Sequence, residues 1–189
     1  MKNFSHMVVG CLLICISAIS CKTKYEQNAE GFAKLSADLE KKFGKESWYT
    51  SISFSKAGEG NEGYIVAVDK TDDPSSLRQE RWVKSGGIWE QAANITMEIK
   101  GGKPSDYMFR LNKEIDLSRL GGFVETTKKK LQDEKKINDA TLKLAIVSTN
   151  TTILNKAEKI NYTVIYSTPD NNTYSITYNS KGDILNSNY

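Results

Sequence analysis

Short runs of alternating apolar and polar residues recur along this chain, and the stretches between successive runs are mostly too short for a crossover. Parallel neighbours need a connection of a dozen or more residues, whereas antiparallel neighbours close with a turn. Most of the chain is therefore committed to antiparallel meanders. Trp48–Phe54 alternates, with Trp48, Ile52 and Phe54 opposite Tyr49, Ser51 and Ser53, as a half-buried strand does. A glycine-rich turn leads from it into Tyr64–Val68. Arg78–Lys84 and Ile88–Ile99 follow, joined at Ser85-Gly86-Gly87, with Trp89, Ala93, Ile95, Met97 and Ile99 facing one way. Tyr107, Phe109 and Leu111 alternate as a fifth strand. Leu142–Val147, Ile160–Tyr166, Tyr174–Tyr178 and Ile184–Leu185 read as four more, with turns at Pro169–Asn172 and Ser180–Asp183.

Two segments switch to helical spacing. Phe32, Leu35, Leu39 and Phe43 form one stripe over Ala29–Phe43, and Gly44 suits the C-cap. A second helix starts at Asp116 as N-cap, with Ile115 and Leu120 in the staple positions and Leu117, Leu120, Val124 and Leu131 as its buried stripe. Gly121-Gly122 in its second turn costs about 1 kcal/mol per glycine. Such a pair is best tolerated where a backbone approaches closely. The order, helix, four or five strands, helix, four strands, is α+β with two helices packed on antiparallel sheet. The halves, with a boundary near 113, form either two helix-on-sheet modules or one continuous sheet with both helices on one face. With 39% hydrophobic and 26% charged residues, the chain has enough apolar material for a core. It is neither a disordered, a collagen-like nor a multi-pass membrane chain.

The N-terminus carries Lys2 and then an apolar run, Met7–Ile19, shorter than the ~20 residues of a spanning helix. It ends Ala18-Ile19-Ser20-Cys21, which resembles the lipobox of bacterial lipoproteins. That resemblance implies removal of residues 1–20 as a signal peptide and diacylation of Cys21, with palmitate-type chains holding the protein on a membrane. Residues 21–28 then form a short tether to a domain spanning 29–189. Lys22-Thr23-Lys24 lacks the second-position Asp of inner-membrane retention, so the resemblance implies the outer membrane, facing the periplasm.

Loss of the leader empties the chemical inventory. His6 is the sole histidine, and Cys11 and Cys15 are two of the three cysteines. The remaining thiol, Cys21, is occupied by lipid. No Cys–His pair, Ser–His–Asp triad or His- or thiolate-ligated metal can be built, and no cofactor is expected. Carboxylates are what remains: Asp69, Asp72 and Asp73 in one loop, Glu59 and Glu62 in another, without the EF-hand pattern. Trp82, between Arg81 and Val83 in a charged strand, is the candidate binding anchor, against the alternative that it covers the far edge of the sheet. Trp48 and Trp89 are expected in the core. The lysine-rich Thr126–Lys136 reads as a solvated helix face supported by a Glu125–Lys129 pair. A formal charge of +3 on an exported chain gives no reason to expect nucleic acid.

The C-terminal phrase Tyr174–Leu185, YSITYNSKGDIL, is similar to the closing hairpin of PepSY-like and β-lactamase-inhibitor-like modules of bacterial envelope proteins. The resemblance implies a helix-plus-sheet module that binds proteins and has no catalytic residues to transfer. The expected function is a lipid-anchored, non-enzymatic module binding another envelope protein or an incoming toxin, as an immunity or inhibitor protein does. The alternatives are a carboxylate-dependent envelope glycan hydrolase and a structural subunit of an envelope machine.

Overall fold

The computed structural model describes residues 25–57, 63–149 and 159–188. The leader, Cys21, Glu59 and Glu62 lie outside the described residues. Two helices, α1 (Ala29–Phe43) and α2 (Leu117–Lys135), accompany eight strands: β1 (Trp48–Lys56), β2 (Tyr64–Thr71), β3 (Arg78–Ser85), β4 (Ile88–Thr96), β5 (Thr141–Thr149), β6 (Ile160–Ser167), β7 (Thr173–Asn179) and β8 (Ile184–Asn188). The fold is α+β and dominated by strands. All eight form one antiparallel sheet in the order β4-β3-β2-β1-β5-β6-β7-β8. The two meanders meet at its centre, where β1 pairs with β5 from Ser51↔Ser148 to Ser55↔Leu144.

Both helices pack on one face of this sheet and against each other, over a single core. Phe32, Leu35 and Leu39 of α1 and Leu117, Leu120, Val124 and Leu131 of α2 are buried against Tyr49, Ile52, Phe54, Val66 and Val68 on one side, and Leu142, Ala145, Val147, Tyr162, Val164 and Ile176 on the other. Asn28 caps α1 by accepting from the Gly31 N–H at 2.8 Å, and Asp116 caps α2 by accepting from Ser118. Gly121 explains the helix crossing, and Gly31 the close return of the segment that leads into α1. A Cβ on Gly121 would stand 2.3 Å from the Asn28 carbonyl oxygen, and one on Gly31 would stand 2.0 Å from that of Glu26. Gly122 meets nothing within 4 Å.

Three expectations fail for local reasons. Tyr107–Leu111 is not a strand. A 3₁₀ turn occupies Pro104–Tyr107, and Phe109 makes only a bridge to Tyr49, filling the sheet slot beyond the end of β5. In β1 a bulge between Tyr49 and Ser51 inverts the parity, so Tyr49 enters the core and Trp48 faces away, under the Arg110 guanidinium at 4.7 Å. In β4 a register shift opposite Arg81/Trp82 splits the expected face. Trp89 pairs with Lys84 on the helix side, whereas Ala93 and Ile95 pair with Arg81 and Gln79 on the other.

The chain enters the fold earlier than expected. Tyr25, inside the stretch read as tether, is 7% exposed, with its ring 6.5 Å from that of Phe54. Its hydroxyl donates to Asp38 Oδ2 and accepts from Lys84 Nζ at 2.8 Å, and Lys84 also pairs with Asp38. Burial pushes the Tyr25 phenol upward, and its bond to Asp38 adds to that. For Asp38, burial works to raise the carboxyl, but bonds from Lys84 and Tyr25 outweigh it and hold the group below its ordinary 3.8. A depressed carboxyl contributes stability that is complete above its unfolded-state value and is lost as pH falls through the folded one. Urea midpoints measured at about pH 6 and about pH 3 should therefore drop less for Asp38→Asn than for the native chain. An equal drop would show that Asp38 carries none of the acid sensitivity.

Candidate functional site: the helix-free face of the sheet

Among the described residues no helix covers the second face of the sheet. Its side chains form three rows, read off the strand register. The first runs Ile65, Ser55, Leu144, Ile165 and Ser175. The second runs Val83, Ala67, Ser53, Ile146, Thr163 and Thr177. The third runs Arg81, Asp69, Ser51, Ser148 and Asn161. Apart from buried Asp69 and exposed Arg81, every one of these is half-buried. The face thus grades from aliphatic to polar along the strands, and short side chains keep it low in relief. Pairing of the central strands dictates this. Ser51, Ser53 and Ser55 of β1 lie between neighbours on both sides, where long charged residues would more commonly cover a solvent-facing sheet.

The polar row is built around Asp69, which is 8% exposed. Arg81 clamps it with two bonds, Nε to Oδ1 at 2.7 Å and Nη2 to Oδ2 at 2.8 Å, and the Ser51 hydroxyl donates to Oδ2 at 2.9 Å. Both carboxylate oxygens are thereby occupied. The bond to Asp69 holds the Arg81 guanidinium even further above its ordinary range. Arg81 keeps 48% of its side chain exposed. It is a fixed cation on the face, with its fork geometry set in advance. Beside this row lies a groove of about 340 Å³, lined by Thr50, Ser51, Gln79, Ile95, Met97 and Ser148 among others. Gln79 is buried at its side, accepting from the Thr50 hydroxyl at 2.7 Å.

The residues singled out from the sequence go elsewhere. Trp82 sits on the helix side, half-buried, with its ring 5.6 Å from Phe43, Lys42 Nζ 4.6 Å above it and its indole N–H on Glu80 at 2.8 Å. Trp89 packs on the same Phe43 at 5.2 Å. The three aspartates do not converge. Asp69 faces Arg81; Asp72 binds Lys70 at 3.0 Å and accepts from Ser47; Asp73 closes the β2–β3 loop by accepting from Ser75. No group of three or more Asp, Glu, His or Cys among the described residues is placed to hold a metal ion. On α2 the expected Glu125–Lys129 pair is replaced: Glu125 accepts the Ala29 N–H at the start of α1, and Lys129 pairs with Asp133. A carboxylate at a helix N-terminus is the better-placed partner, because it meets an otherwise unpaired donor.

What the architecture defines is a two-layer α+β domain with one sheet face covered by helices and, among the described residues, no helix on the other. The chain matches no protein-family model, no curated protein and no solved structure. Among the described residues no helix is long and apolar enough to cross a membrane.

Proposed function

We propose that this protein is a lipid-anchored, non-enzymatic binding module of the bacterial envelope, held through Cys21 at the outer membrane and facing the periplasm. In this reading the chain consists of two helix-then-meander modules that share one sheet, and the open face is where a partner protein docks. The observation that carries it is the three-row face, broad, low in relief and graded from Ile65, Leu144 and Ile165 to the clamped Arg81. Short side chains lose little conformational freedom when a partner covers them, and an arginine already held in place loses little more. The occupied oxygens of Asp69 and the separate partners of Asp72 and Asp73 favour binding over carboxylate catalysis. An immunity or inhibitor protein is the specific form we favour, with an incoming toxin or an envelope hydrolase as partner.

The test places a photo-crosslinking residue at Ser53, in the middle row, and captures from envelope extract and from culture medium of competing strains. A single stoichiometric partner, lost in the Ile146→Arg variant while the melting temperature is unchanged, is the expected result. Capture unaffected by Ile146→Arg would remove the open face as the binding surface. Palmitate labelling of the native chain, absent from Cys21→Ala, tests the anchor separately.

A further inference from the structure

The turn between β3 and β4 carries the one large hydrophobic side chain among the described residues that is more than half exposed: Ile88, at 65%. It pairs with Ser85 across Gly86-Gly87, at the tip of the β3–β4 hairpin. The β3 residue just before that turn is Lys84, the same side chain that holds the Tyr25 hydroxyl. The point where the chain is pinned to the domain and the exposed isoleucine therefore lie at one end of the sheet. The β2–β3 loop, with Ser75, lies at the other end of the same strands.

Chain length turns this coincidence into a constraint. Tyr25 is buried and bonded, so only residues 22–24 separate the fold from Cys21. Four Cα steps of at most about 3.6 Å keep Cys21 within about 14 Å of Tyr25. A domain lipidated at Cys21 cannot stand off from the bilayer, and the end carrying Tyr25 is the end that meets it.

We infer that the Ser85–Ile88 hairpin tip is a membrane contact, with Ile88 inserted at the boundary between headgroups and acyl chains, so that the domain has a set orientation on the lipid surface. This rests on the lipid-anchor reading above. Two attachment points, lipid and tip, restrict tilting. The strands then rise from the bilayer and the open face is presented sideways to a partner. The hairpin tip suits this contact because both its glycines have positive φ, 60° and 92°, giving a tight two-residue turn with the exposed Ile88 directly after it.

The experiment uses the full chain, expressed with its own leader, purified from membranes and reconstituted in vesicles of phosphatidylethanolamine and phosphatidylglycerol. With Cys21 acylated, a single introduced thiol takes a fluorophore at Ser85→Cys, or at Ser75→Cys as the far-end control. Shallow nitroxide-labelled lipid is the quencher. The expected result is that the Ser85 probe loses most of its emission, the Ser75 probe loses none, and Ile88→Asp added to Ser85→Cys restores the emission. Protein that stays with the vesicles while the Ser85 probe is unquenched, or is quenched equally with Ile88→Asp, overturns the tip contact and leaves the anchor standing. Native protein recovered in the soluble fraction, like Cys21→Ala, overturns the anchor and the tip contact with it.

Discussion

Gly121→Ala is expected to destabilise the protein by about 3 kcal/mol, lowering the melting temperature by about 6–12 °C for a domain of this size. The added methyl would sit 2.3 Å from the Asn28 carbonyl oxygen and 2.7 Å from the Ala29 Cα. Both are backbone atoms of the α1 N-terminus, so no side chain can rotate to make room. The helices must separate where α1 is capped by Asn28 and where Glu125 accepts the Ala29 N–H, so the steric cost is joined by loss of those bonds. The neighbouring glycine is the control. Gly122 is helical with nothing within 4 Å, and Gly122→Ala should raise stability by up to about 1 kcal/mol through helix propensity alone. Thermal melts of the two variants, differing by one position, should move in opposite directions. Equal shifts would show that the crossing tolerates a methyl group.

The second large effect concerns the charges under the helices. Lys84 keeps 8% of its side chain exposed and is held by Asp38, at 31%, and by Tyr25. Asp38→Ala leaves a buried ammonium with a phenol oxygen as its remaining bonded partner, and should cost about 2–3 kcal/mol, at the low end for a broken buried pair because Asp38 is partly solvated. Lys84→Met removes the charge that is harder to solvate and keeps the aliphatic stem, so it should cost less. The pair Lys84→Met/Asp38→Leu should recover much of the loss, because apolar replacements of buried ion pairs are often neutral. Urea unfolding of the native chain, Asp38→Leu, Lys84→Met and Lys84→Met/Asp38→Leu closes a double-mutant cycle. Additive single costs would mean that the contact contributes nothing beyond its parts. Loss of Asp38 should also loosen Tyr25, and with it the short link to Cys21.

Much of the fold was legible because it is carried by local periodicity. The α1 stripe from Phe32 to Phe43, the Asp116 cap and the strands of both meanders follow from spacing that each segment expresses by itself. The glycine pair in α2 announced a close approach, and Gly121 makes it. What misled was parity. One extra residue at Thr50, and another at Ala92, turned Tyr49 inward, Trp48 outward and Ile95 to the far face. A bulge inverts every later alternation and leaves no mark in composition. Tyr25 looked like tether because its partners, Asp38 and Lys84, lie far along the chain.

The open face was hidden for a related reason. Ser51 and Ser53 read as the polar side of a half-buried strand, and Arg81 drew notice only as a neighbour of Trp82. The available signal was that a central strand showed serines where charge is common. By itself the sequence determined both helices with their buried faces and eight of the nine strands expected, since these depend on neighbours a few residues apart, but it also expected a strand at Tyr107–Leu111 that does not form. Only the tertiary structure decided that the two meanders join through β1 and β5 into one sheet. It also decided that Arg81 clamps Asp69, and that Ile88 and Tyr25 share an end, because those placements depend on pairing between segments that no local pattern specifies.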